Sequence, residues 1–144
     1  MLNKFKLNEK VELDNKVVMA PMTNYLSNDD LTVSDQEVDY YAARSKEVGM
    51  VITACTFFQP NGQGFANQFY AGDDSYIPSL KKVAQGIKQE GSKAVLQIFH
   101  GGRMADPSKG ELVSASAVKP THSLFGPIED IESPRKLSNE EVWE

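Results

Sequence analysis

The stretch Val48–Phe57, VGMVITACTF, decides the fold. A glycine is followed at once by a continuous apolar run that is β-branched at its centre, at Val51, Ile52 and Thr53. Such a run does not alternate, so both of its faces need cover, as in a buried strand of a parallel sheet. Upstream, Ser34 with Glu37 three residues later forms a capping box. Behind it Val38, Tyr41, Ala42, Ser45 and Val48 recur at helical spacing, and Gly49 is the expected stop. Downstream, the Gly- and Asn-rich stretch Pro60 to Gly72 is expected to be loop. Leu80, Val83, Ala84 and Ile87 then mark a second helix ended by Gly91, and AVLQIFH, Ala94–His100, follows as another strand. Near the start, KVELDNKVVMA, Lys10–Ala20, reads as two short strands around an Asp14-Asn15 turn, the second being Val17 to Ala20.

A helix closed by glycine and followed within a few residues by a buried strand, twice over, is a pair of βαβ units. These build a right-handed parallel sheet. The expected fold class is therefore α/β, with parallel (β/α) units behind an N-terminal hairpin, as in the front of a (β/α)8 barrel with decorated loops. The segment Gly101 to Leu137 leaves the third strand on the side where barrels carry function. Ser138 with Glu141 is another capping box, so a helix is expected to begin there. A closed eight-stranded barrel takes about 250 residues, whereas this chain has 144. The expectation is that residues 1–144 are the N-terminal part of a single barrel domain, cut at the start of the helix after the third strand. The alternative is a free-standing three-strand module that binds a partner or pairs with itself through its strand edges.

Bulk properties narrow the partners. Hydrophobic residues make up 40% and charged residues 24%, as in a globular protein with a core. The net charge of −5, with Lys and Arg scattered, argues against nucleic acid or an anionic membrane. No apolar run approaches the roughly 20 residues of a membrane-spanning helix, and the N-terminus lacks a signal peptide's apolar core. One cysteine, Cys55, rules out an internal disulfide and suits a reducing cytoplasm. The expected partner is a small molecule, with a homo-oligomer left open.

In a parallel barrel the C-terminal ends of the strands share one face. Those ends carry Pro21-Met22-Thr23, Ala54-Cys55-Thr56 and Gln97 to His100 with Gly101-Gly102-Arg103. Gln97 lies inside an apolar strand, where an unpaired amide would cost about 1–3 kcal/mol. Either a partner within the barrel or the edge of a heterocyclic ligand, such as a pyrimidine, satisfies it.

VVMAPMTNY (17–25), then DYYAARSKEVGMVITACTF (39–57), then AVLQIFHGGR (94–103) resemble, in that order, the N-terminal part of the old yellow enzyme family. The resemblance runs from about Leu7 to Lys119. It implies a (β/α)8 barrel that binds FMN, takes hydride from NADH or NADPH, and passes it to an activated alkene or related acceptor. Carried onto this sequence, it implies that Pro21, Met22 and Thr23 meet the flavin at the end of the first strand. Thr23 would hydrogen-bond near flavin O4 and N5, Ala54 would be the small residue against the ring, and Gln97 would bond the flavin pyrimidine. Tyr25 would stand over the substrate pocket as its catalytic-face residue. The resemblance gives His100 a structural role, and Arg103 is read as a loop anchor rather than a phosphate clamp. Cys55 is read as an inert residue at the end of a buried strand. The family's carbonyl-binding pair, proton-donating tyrosine and FMN phosphate site have no counterpart in these residues, so the chain alone is expected to be inactive. No metal site is expected.

Overall fold

The computed structural model describes residues 3–143. Its elements run β1 (Phe5–Lys6), β2 (Glu12–Leu13), β3 (Val18–Met19), α1 (Asp35–Ser45), β4 (Met50–Phe57), β5 (Phe69–Tyr70), α2 (Ile77–Gln89), β6 (Lys93–Phe99), β7 (Val113–Ser114) and β8 (Arg135–Lys136), with short 3-10 turns between them. β4 is the spine. It pairs in parallel with β6 from Met50↔Lys93 to Phe57↔Phe99. Met50 and Val51 also pair with β3, and Thr56 and Phe57 with β5, all in parallel. A strand residue has only two hydrogen-bonding edges. β6 therefore takes one edge of β4, while β3 and β5 share the other, one at each end.

Both helices cover one face of this sheet. Val33, Tyr41, Val51, Ala54, Phe69, Val83 and Ile87 form the buried cluster between the layers. The two helices also meet each other closely. A Cβ on Gly86 of α2 would stand 3.0 Å from Val38 Cγ1 of α1. That approach explains a residue that otherwise weakens a helix by about 1 kcal/mol.

The N-terminal hairpin is present, but its turn is elsewhere. β1 and β2 pair antiparallel, Phe5↔Leu13 and Lys6↔Glu12, and Asn8 Oδ1 accepts the N–H groups of Lys10 and Val11. Asp14-Asn15, read as the turn between a strand pair, joins β2 to β3 without pairing them. Buried Asn15 donates to the Glu47 carbonyl and accepts from Val17 N–H, so its side chain fastens the hairpin to the end of α1.

Gly49 also has a different task from the one expected. α1 ends at Ser45, and Glu47 takes the left-handed conformation at φ 58°. Gly49 is needed because any Cβ there would collide with the Asn15 carbonyl. Gly91 does stop α2, at φ 98°. The stretch Pro60 to Gly72 is not all loop: a 3-10 turn at Pro60–Gly62 leads to β5, which pairs with the end of β4.

Beyond β6 the chain makes three 3-10 turns and a two-residue parallel pair, β7 with β8. Ala105, Leu112 and Ile131 give this segment a small core of its own. The capping box at Ser138 forms in both directions: Glu141 N–H donates to Ser138 Oγ at 3.3 Å, and Ser138 N–H to Glu141 Oε2 at 2.8 Å. A turn rather than a helix follows among the described residues. Arg135 grips Glu141 and Glu111, and its guanidinium holds the Glu141 carboxyl down at about 2.

Candidate functional site

The C-terminal ends of β3, β4 and β6 open toward one side, and a single inserted residue decides what they present. Along β4 and β6 the register runs Ile52↔Val95 and then Cys55↔Gln97. Three steps on β4 match two on β6, so β4 carries a β-bulge. Unbroken alternation from Val51 would put Ala54 on the face away from the helices. Past the bulge the phase is reversed. Ala54 joins Val51 in the helix-facing cluster, and its N–H donates to the Tyr41 phenol at 2.7 Å. Cys55 turns to the opposite face, where its Sγ lies 3.3 Å from Thr23 Oγ1. The β4 residue beside Thr23 is therefore Cys55, and Ala54 is built into the core instead.

Gln97 is the register partner of Cys55. Ala94 packs in the helix-side cluster, so alternation along β6 puts Val95, Gln97 and Phe99 on the face shared with Cys55. Gln97 is half-buried rather than enclosed, and among the described residues its side-chain amide has no hydrogen-bond partner. Its backbone N–H reaches Thr53 Oγ1 at 3.4 Å. Pro21 and Thr23 are half-buried and Met22 is exposed at the end of β3. The structure thus brings Thr23, Cys55 and Gln97 together across three adjacent strands, and leaves Ala54 outside that group.

Tyr25 stands on the loop above them, 54% exposed, in the left-handed region at φ 57°. A non-glycine residue held there costs on the order of 1–3 kcal/mol, so its surroundings must fix it. Its ring meets Phe65 edge-on at 5.9 Å, and Phe65 tilts against Phe99 at 6.0 Å. Asn24 Oδ1 accepts from Leu26 N–H, and Asn67 donates to the Ser27 carbonyl. Beneath the loop lies Glu37, 1% exposed, which accepts from Ser27 Oγ at 2.9 Å. Burial pushes its carboxyl up, opposed by the Ser27 hydroxyl and the nearby Asn24 amide. The sequence marks Glu37 as the return half of a capping box. Ser34 does cap α1 by accepting Glu37 N–H, but the carboxylate is spent on the loop instead.

Two further residues shape the site. Gln68, at 2% exposure, fills the space behind Cys55, donating to its carbonyl and its sulfur. No periodicity or motif singles it out in the sequence. His100 is part of the turn after β6. Its Nδ1 accepts from Gly102 N–H at 2.9 Å, its ring lies so close to Gly62 that a Cβ there would stand 2.7 Å from it, and burial lowers its pKa. That is a packing role. Arg103 is exposed. Among the described residues no group of three His, Cys, Asp or Glu is placed to hold a metal ion, and no helix is long and apolar enough to cross a membrane.

Chemically, the open face offers a hydroxyl, an unpartnered amide carrying both donor and acceptor, and an aromatic ledge. That set suits a flat heterocycle with a polar edge.

Residues 3–144 match the model of the NADH:flavin oxidoreductase / NADH oxidase family. A probable NADH-dependent flavin oxidoreductase of Bacillus subtilis is 42% identical over 142 residues, covering 96% of this chain and 36% of the relative. An NADH:fumarate oxidoreductase of Klebsiella pneumoniae is 39% identical over 142 residues, covering 99% of this chain and 15% of the relative. Among solved structures, the old yellow enzyme from Trypanosoma cruzi superposes with a TM-score of 0.83 at 28% identity, covering 99% of this chain and 43% of that one. The chain spans about a third of the first curated relative and less of the second.

Proposed function

The chain belongs to the NADH:flavin oxidoreductase / NADH oxidase family, and from that premise we propose that it forms part of an FMN-dependent reductase of the old yellow enzyme type. FMN is the family's cofactor, and NADH or NADPH its reductant. In the proposed fold, β3, β4 and β6 are the first three strands of a (β/α)8 barrel, and residues 1–144 are the N-terminal part of that one domain. Their consecutive parallel pairing, with α1 and α2 on the outer face, supports this. Cytoplasmic location and a small-molecule acceptor belong to the same proposal.

When bound, FMN would supply the two-electron chemistry, accepting hydride from NAD(P)H and delivering it to the β-carbon of an activated alkene, with a proton going to the α-carbon. The residues of this chain would hold and tune it. The observation that carries the reading is the convergence of Thr23 and Gln97 on one face, with the Gln97 amide unpartnered beside them. An amide with one donor side and one acceptor side matches the alternating edge of a flavin pyrimidine. The Thr23 hydroxyl would donate to the ring where negative charge grows on reduction, stabilising the reduced form. Backbone groups at Pro21 and Met22 would approach the ring. Ala54 is not part of this proposal as a ring contact, since it faces the helices. Tyr25, fixed above the strand ends, would bond a carbonyl oxygen of the acceptor, while Phe65 and Phe99 exclude water from that side.

The test uses a full-length protein carrying these residues. NADH or NADPH, added without oxygen, should bleach the flavin absorbance, and fumarate, acrylate or an unsaturated ketone should restore it. Gln97→Leu should lower flavin occupancy. Unchanged occupancy and potential in that variant would overturn the assignment of Gln97.

A further inference from the structure

Gln68 is a buried loop residue whose amide is fully committed. Its Oε1 accepts the N–H groups of Gly64 and Phe65, at 3.0 and 3.1 Å. Its Nε2 donates to the Cys55 carbonyl at 3.0 Å and lies 3.2 Å from Cys55 Sγ. Two backbone N–H groups can be met only by the amide oxygen, and a carbonyl only by the amide nitrogen. Those three bonds therefore fix which end of Gln68 faces the sulfur, and it is the donor end.

We infer that Gln68 sets the direction in which the Thr23 hydroxyl donates, acting through the Cys55 thiol. With an N–H aimed at it, the sulfur is an acceptor on that side. Its own proton then goes to the other polar atom within reach, Thr23 Oγ1 at 3.3 Å. A threonine oxygen that receives this proton keeps its O–H free, and that O–H points away from the sulfur toward the open face where Gln97 lies. Were the amide reversed, the S–H would turn to Gln68 and the Thr23 O–H would turn inward to the sulfur. Thr23 would then present only a lone pair to whatever lies on the strand ends. Gln68 and Cys55 are positioning residues in this arrangement and touch no reacting atom. The functional consequence rests on the reading of Thr23 as a donor to the flavin; the direction of the relay does not.

The first measurement needs no cofactor. Cys55 is the only cysteine in the sequence, so the infrared S–H stretching band of this chain belongs to it alone. The band should lie below the free-thiol position, and Thr23→Val should move it up to that position. A wild-type band at the free-thiol frequency, or one indifferent to Thr23→Val, overturns the relay. Gln68→Glu keeps an oxygen for Gly64 and Phe65 and reverses polarity at the sulfur. It should push the S–H band lower still and make it insensitive to Thr23→Val. If that variant does not fold, the wild-type and Thr23→Val spectra still decide.

The second measurement is the flavin reduction potential of the full-length protein. Gln68→Glu should make it more negative, and Thr23→Val added to that variant should shift it no further. A relay present in the infrared spectrum with an unmoved potential would leave the hydrogen-bond direction standing and sink the placement of Thr23 against the flavin.

Discussion

β4 and β6 are adjacent, parallel and similarly apolar, yet they live in opposite environments. Every residue of β4 except Ile52 is buried, and no residue of β6 is. The difference lies in their neighbours. β4 has partners on both edges and the helix layer on one face. β6 has one paired edge among the described residues, and Ile98 on its helix-side face is 59% exposed. An apolar strand therefore signals a demand for cover, and whether the demand is met depends on the rest of the fold. Phe69, buried at the other edge of β4, gives the sharpest contrast with Ile98. Phe69→Ala should destabilise the chain by about 3–5 kcal/mol, the usual result of hollowing a core. Ile98→Ala should stay within about 0.5 kcal/mol. Urea titrations of the two variants measure the gap, and equal losses would mean that β6 is covered after all.

Next in size is the fate of the uncovered face. Unpaired backbone groups and exposed apolar side chains along β6 form a template for association. The 144-residue chain is expected to run above its monomer mass in light scattering, and Ile98→Lys to reduce that mass toward the monomer. The same chain should bind FMN weakly or not at all, because three strand ends offer a ring contact on one flank only. A yellow, monomeric chain with stoichiometric FMN would refute both halves of this expectation.

Much of the contrast was readable in advance, and the unreadable part has a physical cause. The unalternating apolar run of β4 announced a strand covered on both faces, and Gly91 announced the end of α2. Gly49 was legible as a necessary glycine but for the wrong reason, since close approach to the Asn15 carbonyl is a tertiary fact. The exchange of Ala54 for Cys55 beside Thr23 could not be read at all. A side-chain period assumes unbroken alternation, and a bulge of one residue reverses every later position without changing composition. Gln68 was invisible for a related reason. Its four bonds go to Gly64, Phe65 and Cys55, and only the fold brings Cys55 within reach.

At the strand ends, the effect of one hydrogen bond is expected. In the full-length flavoprotein, Thr23→Ala should remove a donor to the reduced ring and make it harder to reduce. One such bond is worth roughly 1–2 kcal/mol, which for a two-electron couple is a few tens of millivolts. Spectroelectrochemical titration reads it. Ala54→Gly gives the internal comparison: it should leave the potential in place, because Ala54 faces Tyr41 and the helices. A potential that moves with Ala54 and not with Thr23 would restore the unbulged register.

The smallest effect concerns the loop that holds Tyr25 over the site. Glu37 is buried beneath it, and burial raises its folded-state pKa above that of the unfolded chain. The sign follows from linkage. A carboxyl that holds its proton more tightly when folded contributes stability below its unfolded pKa, and that contribution is lost as pH rises through the folded pKa. The wild-type chain should therefore lose stability as pH climbs from the acid side through that window, relative to a variant that cannot ionise. Glu37→Gln retains an oxygen to accept from Ser27 Oγ and carries no charge to desolvate. Its stability should match wild type at acid pH and exceed it at neutral pH, with the two urea midpoints diverging between those limits. Equal midpoints across the range would mean that Ser27 and Asn24 stabilise the buried charge fully, and that Glu37 anchors the loop ionised.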